Sequence, residues 1–371
     1  MGTQCTENED LSLKVRVEVG IQCTDINDFY PKIRGEVGPQ CTDTQDLYIK
    51  VREEVGTQYT DTQDSSLKVR GELAIQCTDT QDLYLKTREV GPHHKNSWDL
   101  YQNVKGEVRT QCMDTKDLYL KVRGEVGPQC TDTQDLYLEI RERWDHRVQT
   151  DTQDLYLNVR KEVGIQFKDS RVLYLKVREE VGPQCRDTQD LYAKVRGELL
   201  PQCTDTQDFY LRIREEMGTL CTDTQDFYIK VREEVGTLCA DKQHFYPKVR
   251  GEVEPHCTDT QDLYPKVRRE VGPQCTETQD LDLKVRREVG TQCLDTKDLY
   301  LKVRGKVGTQ CTDTQDLYLK AGEEVVTQCT NSLDLYINVR ELGTQCMDTK
   351  EIYLKSEGRW EHSVLIQKTS I

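Results

Sequence analysis

The chain is short of apolar matter. Only 35% of its 371 residues are hydrophobic while 32% are charged, and mean hydropathy is −0.76. A length that would serve two or three globular domains lacks the material to fill their cores, which points to an extended array or an unfolded chain. No run of 18 apolar residues occurs, so no transmembrane helix is expected. Met1 leads directly into Gly2 without a basic n-region or an apolar h-region. The compartment is left open, with the reducing cytoplasm or nucleus as the default expectation.

The signatures of site chemistry are missing as well. There is no CxxC pair, no EF-hand spacing, and no GxGxxG, GxSxG or P-loop pattern. The six histidines do not recur beside Ser, Cys or Asp. No catalytic, cofactor-binding or metal-binding residue is assigned, no cofactor is implied, and the chain reads as non-enzymatic. The net charge of −15 is spread evenly along the chain. With no basic patch in the sequence, neither nucleic acid nor an anionic membrane is an expected partner.

What the chain does have is a repeat. Cys5, Cys23 and Cys41 are 18 residues apart, and the same step runs from Cys185 through Cys329. The consensus is V-G-(T/P)-Q-C-T-D-T-Q-D-L-Y-L-K-V-R-(G/E)-E, numbered below as positions 1 to 18, with Val37 at position 1. About twenty copies fill residues 1–355, and 356–371 form a distinct tail. Aligned on Asp-Leu-Tyr, position 5 holds Cys in sixteen copies and Tyr59, His94, Gln149 and Phe167 in the others. Three copies depart from 18 residues: Cys77 to His94 is 17, Cys130 to Gln149 is 19, and Cys329 to Cys346 is 17. All three changes fall near the Arg-Gly/Glu-Glu-Val-Gly segment, which is therefore the expected loop.

The expected fold is all-β, a β-solenoid-like stack of 18-residue units. Leu47, Ile49 and Val51 alternate with Tyr48, Lys50 and Arg52, as on a strand with one buried face. The alternation continues through Val55, Thr57 and the cysteine position. Two alternatives stand beside it. A helical repeat array is suggested by Thr42-Asp43-Thr44-Gln45-Asp46 as an N-cap and acidic first turn, and by the i, i+4, i+8 stripe of Leu47, Val51 and Val55. Against it, glycine inside the helix in about half the copies costs about 1 kcal/mol each. A largely disordered chain is suggested by Pro31, Pro247 and Pro265 at position 13, and by a register that would set Lys over Lys and Arg over Arg.

Differences between copies bear on origin. Replacements such as Leu to Pro or Cys to Tyr are single-base changes that conserve neither size nor chemistry. Phe or Tyr in a cysteine-sized slot is expected to overpack a core by about 1–3 kcal/mol. A back-translated consensus read one base out of frame gives E-G-R-W-G-H-S-V-L-I-H-R-T-C-I before a stop, and residues 357–371 match eleven of these fifteen. Residues 143–148, Arg-Trp-Asp-His-Arg-Val, mirror 359–364. The sequence thus reads as the translation of a 54-base, minisatellite-like tandem repeat with no sequence-evident activity.

Two other functions are weighed. Stacked copies would offer a regular face for protein–protein interaction or self-association. The Thr-Asp-Thr motif, as at Thr42–Thr44, looks similar to the Thr-x-Thr rows of β-solenoid antifreeze proteins, although here the middle Asp is expected to point inward. The cysteines read as small buried or free thiols, and Asp43 and Asp46 with their equivalents as a solvated acidic face.

Overall fold

A computed structural model of the chain describes residues 2–6, 10–16, 19–124, 127, 129–141, 149–161, 163–356 and 365–367. It divides into two compact units, 1–186 and 187–371. Among the described residues each unit is built of strands without a helix, and the strands pair in parallel one repeat apart as a β-solenoid with 18-residue spacing. The register is that of the repeat. In the first unit, Val19–Ile33 pairs with Val37–Val51, setting Cys23 opposite Cys41. In the second, Met217–Val231 pairs with Val235–Val249, setting Cys221 opposite Cys239.

Two straight runs make each coil. Val55, Thr57 and Tyr59 at positions 1, 3 and 5 are buried, as are Leu67 and Val69 at positions 13 and 15. The runs face each other across the interior: the buried His94 ring at position 5 lies 3.4 Å, Nε2 to Nε2, from Gln102 at position 13 of the same coil. This apolar lining, closed by the coils above and below, is the only core an 18-residue unit can have, and stacking is what buries it.

Between the runs the two-residue alternation breaks. The inward residues at positions 5, 8 and 11 are three apart, as in Cys41, Thr44 and Leu47. The break is made at position 7, where the backbone is left-handed: φ is 52° at Asp43, 53° at Asp61 and 51° at Asp223. Asn96, Asn331 and Glu277 take the same conformation, and no described glycine does. Asp and Asn are the residues that tolerate this region most readily after glycine, and a residue placed there cannot continue a helix. The stripe of Leu47, Val51 and Val55 arose because a spacing of four satisfies both the helical and the strand period.

The second corner is at positions 16 to 18, and there the length changes fall. Glu72 pairs with Glu89 and Leu73 with Val90, so the 17-residue copy loses its residue between Arg88 and Glu89. Glu324 pairs with Glu341 and Val325 with Leu342 in the same way. Position 17 is close to the coil before it: a Cβ on Gly251 would lie 1.8 Å from the Glu233 carbonyl oxygen.

The departures from consensus are accommodated rather than excluded. Pro31 and Pro247 lie inside strands, each without the N–H that its neighbours donate, and at Pro265 the strand is interrupted between Leu263 and Lys266. Tyr59 is buried in its cysteine slot, and the same coil carries the small Ser65 where others have Leu or Phe, which offsets the added volume. One assignment is corrected. The residue opposite Cys130 and Phe167 is Thr150 and not Gln149, with a register shift between Cys130 and Thr133. The copy with one extra residue therefore absorbs part of its irregularity at the first corner. Residues 143–148, whose sequence reads as a frame-shifted patch, lie outside the described residues, as does the tail apart from Leu365–Gln367, which pairs with residues 345–347.

Candidate functional site

In-register stacking turns each repeat position into a row of like side chains. Positions 10, 12, 14 and 16 share the outer face of the second run and set four rows side by side: Asp, Tyr, Lys and Arg. In the first unit the Tyr row stacks from Tyr84 through Tyr174, with ring centroids 4.5–4.8 Å apart and planes within 8°. In the second, Tyr192 to Tyr264 and Tyr300 to Tyr353 form two such stacks, separated at Asp282. Stacking of this kind adds to register on top of the backbone ladder.

Electrostatics separate across this face. In the Asp row, partial burial and then the carboxylates of Asp190 and Asp226 raise Asp208 above the usual carboxylate range. The same causes, with Asp280 and Asp316 as neighbours, raise Asp298. Tyr137 is pushed up to about 12 by burial and by Asp135 beside it. Two rows away, the Lys and Arg side chains of the second unit line a shallow groove from Lys194 to Arg304. The expectation that the chain has no basic patch is therefore corrected: charges that alternate along the chain are sorted into columns by the stack, and an acidic protein carries a basic stripe. Acidic partners relieve the stripe locally, as in Lys121–Glu139, and in Lys284–Asp282 at 2.6 Å.

The opposite outer row, at position 4, is a ladder of glutamine amides. Gln4, Gln22, Gln40 and Gln58 each donate through Nε2 to the next amide oxygen at 3.0–3.2 Å, and Gln76 accepts the last of these bonds. The Thr-Asp-Thr motif does not make a flat threonine face. Thr44, Thr62 and Thr80 are buried, while Asp43 is exposed at the corner and Thr42 is half-buried. The expected inward direction of the Asp is thus reversed, because the left-handed corner shifts the phase of the alternation.

Inside, the cysteines are buried and outside any disulfide. Burial and the neighbouring thiols push Cys221 and Cys239 well above the ordinary thiol value, so with no metal bound these thiols are protonated at neutral pH. His94 occupies the same row in the first unit, and burial holds its imidazole down to about 3. Its partner Gln102 accepts a hydrogen bond from Thr110 at 3.1 Å. In the second unit Lys242 is buried at position 8, its Nζ 3.7 Å from the Phe227 ring centre and without a hydrogen-bond partner. Among the described residues no three His, Cys, Asp or Glu side chains converge on a point that would hold a metal ion. Among the described residues no helix is long and apolar enough to cross a membrane.

No family model, no curated protein and no solved structure matches the chain.

Proposed function

We propose that the chain is a non-enzymatic repeat scaffold whose outer Asp–Tyr–Lys–Arg face makes protein–protein contacts, with a second copy of the same face as the partner it fits best. The observation that supports this reading is the order of the rows. When two such faces meet about a two-fold axis parallel to the rows, Asp lies opposite Arg and Tyr opposite Lys, which pairs opposite charges and places cations over aromatic rings. The antiparallel arrangement sets like charge on like charge and is disfavoured. Sedimentation velocity at rising protein concentration tests it. Association is expected at about 50 mM salt and is expected to weaken severalfold by about 0.5 M. A species that stays monomeric, or that associates regardless of salt, overturns the reading. A cooperative thermal melt with a β-type circular dichroism spectrum is a precondition, and a coil spectrum removes the basis for any scaffold.

A second reading has its own support. Buried Lys242, the prolines at position 13 and the left-handed Glu277 are defects of the kind drift leaves in a tandem repeat that has no selected activity. Sequencing the coding DNA tests it. An excess of silent over replacement changes between copies rejects it, as do codons at 357–371 that fail to align out of frame with the upstream copies. Ice binding has lost its basis, since the motif's two threonines do not share an exposed face.

A further inference from the structure

In the second unit, position 5 is cysteine in every coil from Cys203 to Cys346, and the strand pairing sets each opposite the next. All of these thiols are buried, and none is in a disulfide. The tetrahedral arrangement that zinc requires is not offered, because no three ligating side chains converge among the described residues. What the row offers is pairs: each interior thiol has one sulfur above it and one below.

The spacing of those pairs is informative. Parallel strands repeat at about 4.7–4.9 Å. Two metal–sulfur bonds of about 2.3 Å laid end to end span about 4.6 Å, and soft thiolates select soft cations. A disulfide fits less well, since its Cβ atoms must approach to about 3.8 Å, which pinches two coils together. Position 8 adds a second feature. The buried hydroxyls of Thr278, Thr296 and Thr314 have no hydrogen-bond partner. Each lies three residues beyond a cysteine of the row, on the same inward face of the coil as Cys275, Cys293 and Cys311. They are O–H donors placed beside sulfurs that would lose their protons on metal binding.

We infer that the cysteine row of the second unit is a binding site for monovalent soft cations of the Cu(I) and Ag(I) class, each held in line between the sulfurs of two successive coils. This does not depend on the self-association reading. Uptake of each cation breaks one S–H bond, forms metal–sulfur bonds and releases one proton to solvent, and no electron moves. Cations enter through local opening of the coils. The capacity equals the number of gaps between adjacent thiols, about eight in this row. In the first unit the row is broken by Tyr59 and His94, which leaves two gaps among Cys5, Cys23 and Cys41 and one between Cys112 and Cys130.

Two fourfold variants separate gap binding from binding at isolated thiols. Replacing Cys221, Cys257, Cys293 and Cys329 with Ala removes every gap in the row. Replacing Cys203, Cys221, Cys239 and Cys257 with Ala removes the same number of thiols but only half the gaps. Native mass spectrometry of the reduced full chain titrated with Ag⁺ is expected to show a loss of about eight cations in the first variant and about four in the second. Equal losses in both, or no Ag⁺ on the folded parent chain, overturn the inference. Should a variant lose its β spectrum, the parent chain carries the same distinction. Proton release in a pH-stat is expected to saturate at the number of gaps, and saturation at all sixteen thiols rejects the site.

Discussion

Lys242 replaces a threonine at a position that faces the interior, and its Nζ lies over the faces of Phe227 and Phe245, 3.7 and 5.3 Å from the ring centres, beside the buried thiols of Cys221 and Cys239. Rings return part of the hydration energy that such a charge loses, and the remainder is a standing cost. Lys242→Thr is expected to stabilise the second unit by on the order of 2–4 kcal/mol, read as a higher urea midpoint; no change would show that the rings compensate in full. His94 gives the first unit an acid sensitivity. Its folded imidazole is held at about 3 against an ordinary 6.5, so between these values the unfolded chain binds a proton that the folded chain refuses. Stability is therefore lost as pH falls, by about 1.4 kcal/mol per unit below 6.5. The urea midpoint of His94→Cys is expected to be flatter between about pH 7 and pH 5 than that of the parent chain, and parallel pH profiles would remove His94 as the cause. The Asp row works the other way, because its raised carboxyls favour the folded state as they protonate, and both proteins share it.

The elements of the coil show what was legible in the sequence. The strand run Leu47, Ile49, Val51 could be read directly, since alternation and burial coincide there. So could the corner at positions 16 to 18, since deletions mark it. The left-handed corner at position 7 could not be read. Asp43 sits between two threonines, and strict alternation carried on from the cysteine places it inward; only a residue with positive φ makes the three-residue steps that bury Thr44 instead. The basic stripe was hidden for a different reason. Lys50 and Arg52 are flanked by Asp46 and Glu53, so any average along the chain cancels them, whereas the rows run perpendicular to the chain. The outer face thus became visible only with the stack, while its cysteine interior was plain from the 18-residue spacing. The closeness of the position-17 turn to its neighbour was likewise unmarked in sequence. Gly251→Ala is expected to destabilise by about 1–3 kcal/mol because its Cβ meets the Glu233 carbonyl at 1.8 Å. Gly290→Ala, with nothing within 4 Å, is expected to be near neutral. Equal midpoint shifts for the two would contradict the close approach.

At the scale of the molecule, each unit is quasi-one-dimensional: a coil's neighbours are the coil before and the coil after. Effects of substitution should therefore stay local. Hydrogen exchange on Lys242→Thr is expected to show added protection concentrated in strands Met217–Val231, Val235–Val249 and Val253–Leu263, fading within a few coils; a uniform gain across the second unit would mean that it opens only as a whole. The 17-residue copies carry the same principle further. A residue missing between Arg88 and Glu89 leaves Val90 opposite Leu73 and the residues that follow, through Lys95 opposite Thr78, in their columns. In its 17-residue copies the stack acts as a self-resetting counter, clearing the slip at the corner before the next coil begins. A gene that expands and contracts in whole copies, and now and then drops a codon, can thus keep producing chains of one design and many lengths.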